Sequence, residues 1–79
     1  MAEHRITYGF TKADGFWLCR HSSEGAPHGY LCLQETQLGI PNEPAMMEAA
    51  KALAKRFTRK GNHVSIERDI SWLQEAPNG

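Results

Sequence analysis

The chain reads as a small α+β domain, an antiparallel sheet in the order β-β-β-α-β with one amphipathic helix packed on one face. Three observations carry that reading. Apolar residues alternate with polar ones over residues 5–11 and 63–67, the mark of half-buried strands. Asp14-Gly15 and the run from Ser22 to Gly29 divide apolar stretches as turns do. Between Asn42 and Gly61, apolar residues recur at spacings of four, three and four, which is a helical period.

Taken in order, the first strand sends Ile6, Tyr8 and Phe10 to one side and Thr7, Gly9 and Thr11 to the other. Asp14-Gly15 then signals a hairpin, with glycine supplying the positive φ, and leads into a second strand at about 16–22. The loop Ser22-Ser23-Glu24-Gly25-Ala26-Pro27-His28-Gly29 is turn chemistry throughout, and a third strand follows at about 30–36. The helix, within about 43–60, opens on Asn42 as N-cap with Glu43 and Pro44 in the first turn. Met46, Ala50, Leu53 and Phe57 form its apolar stripe, and Gly61 stands where a terminating glycine belongs. His63 to Glu67 is the fourth strand. Ile70, Trp72 and Leu73 either extend it or form a helical turn, and residues 74–79 read as a frayed tail. All of this is one domain spanning 1–79.

Register turns the elements into surfaces. A three-residue loop at 13–15 pairs Phe10 with Leu18 and Tyr8 with Arg20; a symmetric second loop sets Cys19 against Cys32, Leu18 against Leu33 and Arg20 against Leu31. The helix then covers Ile6, Tyr8, Phe10, Phe16, Leu18, Leu31 and Leu33. Thr7, Trp17, Cys19, His21, Tyr30, Cys32 and Gln34 are left on the far side. Phe16 to Cys19 and Tyr30 to Leu33 are apolar without alternation. One helix covers one face, so the second face is available to a partner.

Composition bounds what that partner is. With 41% hydrophobic and 23% charged residues, the chain is an ordinary globular one. Formal net charge is zero, which removes any global pull towards nucleic acid. The zero conceals a dipole, because Lys51, Lys55, Arg56, Arg59 and Lys60 fall in ten residues without an acid. No apolar run is long enough to span a bilayer, and the first residues lack signal-peptide order. The expected address is the cytoplasm of a bacterial host, with no membrane partner. There Cys19 and Cys32 stay reduced.

Four constellations bear on function. Trp17, His21 and Tyr30 make an aromatic platform of the kind found at interaction hot spots. Cys19, His21, His28 and Cys32 supply four metal-binding side chains, but their spacing matches no zinc signature, so neither metal nor cofactor is assigned. Arg56, Arg59 and Lys60 could meet phosphates, as an alternative reading of the chain as a nucleic-acid-binding module; the neutral total charge argues for a solvated helix end instead. No nucleophile elbow, metalloprotease motif or phosphate loop is present, and the expectation is that the chain is not an enzyme.

In size, neutral dipolar charge, compact order and lack of catalytic motifs, the chain resembles small phage- or mobile-element-encoded inhibitors, the anti-CRISPR proteins among them. The resemblance is one of type and extends over the whole length, with no shared motif. It implies blockade of a protein or ribonucleoprotein target such as a bacterial defence complex. The acids available for that are Glu3, Asp14, Glu24, Glu35, Glu67 and Asp69. Trp17, His21, Tyr30, Glu35, Glu67 and Asp69 are the expected contact set. A phage structural subunit, or a homodimer, is the third reading.

Overall fold

The computed structural model describes residues 2–24 and 30–69. His28, the Gly25–Gly29 part of the second loop, and Ile70, Trp72, Leu73 and the 74–79 tail lie outside the described residues. Five elements follow in the expected order: β1 (Glu3–Thr11), β2 (Gly15–Ser22), β3 (Cys32–Ile40), α1 (Glu43–Thr58) and β4 (His63–Arg68). They form a four-stranded sheet in the order β3-β2-β1-β4 with the helix against one face. No helix among the described residues is long and apolar enough to cross a membrane.

The sheet is mixed, which corrects the antiparallel expectation: β4 pairs with β1 in parallel, from Glu3 opposite His63 to Tyr8 opposite Arg68. Chain direction explains it. Two successive hairpins leave β3 running the same way as β1. The 16 residues of α1 then carry the chain back by about 24 Å. A strand that starts after that return runs with β3, and therefore with β1 beside it.

The helix matches its sequence signals. Asn42 Oδ1 accepts the Ala45 N–H at 2.9 Å, and Met46, Ala50, Leu53 and Phe57 are its buried residues. It stops at Thr58, two residues short of the expected end, and Gly61 turns the chain at φ 85°. The core consists of Ile6, Leu18, Ala50, Leu53 and Phe57, with Tyr8, Ile40, Ala49, Ala54 and Val64 packed around it.

The first hairpin is two residues out of the expected register. Phe10 pairs with Phe16, Tyr8 with Leu18 and Ile6 with Arg20. The loop is Lys12-Ala13-Asp14, closed by the Asp14 N–H donating to Thr11 Oγ1 at 3.0 Å, so Gly15 (φ 71°) opens β2 instead of ending the loop. The third strand also departs from expectation. It begins at Cys32 and runs through Gly39 to Ile40, because no proline or turn cluster interrupts it before Pro41. Cys19 therefore faces Thr36 and not Cys32, Arg20 faces Glu35 and not Leu31, and Leu33 faces His21 and not Leu18.

Candidate functional site

Two irregularities in β3 decide which side chains reach the outer face. Arg20 opposes Glu35 while its neighbour His21 opposes Leu33, so Gln34 is an extra residue. A second irregularity opposite Trp17 accommodates Leu38 and Gly39, the latter at φ 68° with its N–H donating to the Asp14 carbonyl at 2.8 Å. Opposed residues share a face. Leu33 therefore lies with His21, Thr36 lies with Cys19, and Leu38 follows Thr36 by two residues on the same side. Leu33 and Leu38 are 58% and 57% exposed, large values for leucines held in a strand. Leu33 was expected under the helix, and the Gln34 bulge is what turns it out.

Behind these leucines lies a partly filled surface. Trp17, Cys19 and His21 are half-buried. The Trp17 indole lies across β1, so close that a Cβ on Gly9 would sit 2.7 Å from its Cζ2. His21 Nδ1 is buried with no hydrogen-bond partner among the described residues. Farther along, the outward Arg5 guanidinium holds Glu67 at 2.8 Å.

The helix side carries a different cluster, centred on Phe57. Arg20 stands 4.0 Å from the ring centroid, Arg56 4.7 Å and Lys60 5.1 Å. His4 stacks on the same ring at 4.5 Å. Glu35 accepts from both Arg20 (2.9 Å) and Arg56 (3.2 Å) through one carboxylate oxygen. His4 is fully buried, and the Arg20 Nη1 lies 3.0 Å from its Nδ1. Arginine has only donors to offer, so Nδ1 accepts and Nε2 carries the proton, buried without a partner among the described residues. Burial holds the His4 pKa below its ordinary 6.5, and the Arg20 charge pushes it the same way. Beside this cluster a depression of about 490 Å³ is lined by Ala2, Ser23, Glu24, Phe57, Lys60 and Asn62.

The expected contact set is thus divided. Trp17, His21 and Glu67 share the outer face, whereas Glu35 stands on the helix side, engaged by two arginines. Cys32 likewise pairs with Ser22 on the helix side. Tyr30 is 68% exposed ahead of β3, and Asp69 follows β4 with its N–H donating to the Tyr8 carbonyl at 2.8 Å. Of the basic trio, Arg56 and Lys60 join the Phe57 cluster, and Arg59 is the exposed C-cap. Cys19 and Cys32 are free thiols, and no group of three or more metal-binding side chains occurs among the described residues. Sequence reasoning missed Leu38, His4 and Arg20. The unbroken run through Leu38 to Ile40 could have revealed the longer strand; alternation in β2 does put Arg20 on the side of Leu18, but nothing local marks the Phe57 ring, His4 and Glu35 as its partners. Comparison of the chain with family models, with curated proteins and with solved structures finds no match.

Proposed function

We propose that the chain is a non-enzymatic binding protein that engages a protein or nucleoprotein partner through the outer face of its sheet. The observation behind this is the pair Leu33 and Leu38, exposed on the side of the sheet that α1 does not cover. Exposed apolar side chains beside partly covered aromatic ones are what an interface core is made from. Glu35 and Glu67 are each neutralised by arginine, so blockade by shape suits this surface better than mimicry of nucleic acid by negative charge. The general likeness to small mobile-element-encoded inhibitors points to a bacterial defence complex in the cytoplasm as the partner. The test is affinity capture against purified defence complexes, with a nuclease-interference readout. Leu33→Lys with Leu38→Lys should weaken capture about thirtyfold or more, the scale of a lost hot spot. Capture unaffected by the double variant would overturn the assignment of the face.

A second reading is favoured by one observation, the convergence of Arg20, Arg56 and Lys60 on Phe57 with Glu35 as the acid among them. Such a cluster suits phosphate. If it binds nucleic acid, affinity falls by about 0.9 log units per phosphate contact for each log unit of salt. Arg56→Ala, Arg59→Ala and Lys60→Ala together would remove that dependence. Absence of binding to single-stranded RNA and duplex DNA at low salt disposes of this reading.

A further inference from the structure

We infer that the free edge of β3 pairs antiparallel with β3 of a second copy of this chain, joining two four-stranded sheets into one continuous sheet. This goes beyond the outer-face reading and concerns the purified chain alone.

The strand β3 ends the order β3-β2-β1-β4 and is nine residues long, and no strand among the described residues pairs with its far side. Proteins usually guard such an edge by keeping it short or by placing lysine or proline in it. Here Cys32–Ile40 contains neither; its two bulges, a further kind of guard, lie at Gln34 and at Leu38–Gly39 and leave Glu35–Gln37 between them as a regular stretch. Its one charge, Glu35, points to the helix side and is held there by Arg20 and Arg56. The opposite edge, β4, is the guarded one: six residues that include His63, Glu67 and Arg68.

Register and chemistry select one pairing. Glu35 and Gln37 face the helix side and Thr36 and Leu38 the outer side, and opposed residues must share a face. A two-fold axis at Thr36 satisfies this. It sets Thr36 against its own copy, Glu35 against Gln37, and the Leu33–Gln34 bulge against Leu38. Each exposed leucine thereby gains an apolar neighbour from the other chain, twice over, as an isologous contact requires. A slip of one residue opposes Glu35 and Thr36, which point to different faces. An axis at Glu35 opposes two carboxylates, and an axis at Gln37 leaves Leu33 without an apolar neighbour. The zero net charge adds no long-range repulsion between copies.

Sedimentation of the purified chain over rising concentration should show the 8.9 kDa monomer passing to twice that mass. Leu38→Lys should remain folded by circular dichroism and weaken self-association about tenfold or more, because a charge would be buried unpaired. With Cys19→Ala and Cys32→Ala in place, Thr36→Cys should cross-link on mild oxidation. Opposed residues in antiparallel strands have Cα atoms about 4.5–5.5 Å apart, within the span of a disulfide. Lys51→Cys, on the exposed side of the helix, is the control. A monomer at every concentration overturns the inference, as does a dimer that Leu38→Lys leaves intact or that cross-links no better through Thr36→Cys than through Lys51→Cys. Should the cysteine-free chain fail to fold, sedimentation of the unaltered chain and of Leu38→Lys still decides. These measurements use the purified chain alone; because Leu38 serves both readings, the capture assay is repeated with Trp17→Ala, a change on the outer face away from the β3 edge, and loss of capture with self-association intact belongs to the outer face alone.

Discussion

Gly9 is buried in the middle of β1 with the Trp17 indole laid over it. The sequence presents the tryptophan as a residue standing free for a partner; the glycine opposite makes a floor on which it lies down. A methyl at position 9 would meet the ring at 2.7 Å and force it to move. Gly9→Ala should therefore destabilise the fold by about 1–3 kcal/mol, and in a Trp17→Ala background the same change should cost much less. Additive losses in a denaturant double-mutant cycle would show that the two residues do not touch. His4 offers a second test at this scale. Its folded pKa lies below 6.5, so below that pH the unfolded chain takes up a proton that the buried ring, facing the Arg20 guanidinium, refuses. Its share of stability is complete above pH 6.5 and drains away as pH falls towards the folded value, at up to about 1.4 kcal/mol per pH unit. Denaturant midpoints for the unaltered chain and for His4→Gln should thus converge on acidification. Midpoints that fall in parallel would assign the acid sensitivity to other groups.

At the scale of elements, legibility follows how local each signal is. The helix was legible to within two residues at its end because its cap, stripe and terminating glycine all lie within or beside its own span, and the buried residues are the four its periodicity names. The strands were legible as strands, yet their pairing was not. Whether Gly15 ends the first loop or opens β2 shifts the hairpin by two residues, and only the Thr11–Asp14 closure decides it. In β3 the Gln34 bulge breaks simple alternation: it sends Leu33 outward and leaves Glu35 beside the helix, separating the acid from the aromatic surface it was expected to serve. Trp17, His21 and Glu67 could be assigned to one face from alternation within β1 and β2 and from the β4 pattern alone. Leu38 and the Arg20–His4–Phe57 cluster depend on partners distant in sequence, which no local pattern reports.

At the scale of the whole molecule, the crossover through α1 gives the sheet a centre and two unlike edges. β1 is held on both sides, by β2 and by the parallel β4, and β2 is held by β1 and β3. Ile6 and Leu18, fully buried, stand on these two central strands beneath the helix. Opening either strand breaks two ladders and the core together, whereas β3 or β4 can open by giving up one. Amide exchange at low protein concentration should then be slowest around Ile6 and Leu18 and faster across both edges, with protection at the centre approaching the global unfolding free energy. Pairing between copies adds a concentration term confined to one edge. As the protein is concentrated, amides of β3 around Thr36 should slow while those of β4 from His63 to Arg68 stay as they were. Slowing along β4 instead would place the self-contact on the charged edge, and central amides that exchange as fast as the edges would mean that the sheet opens as one unit.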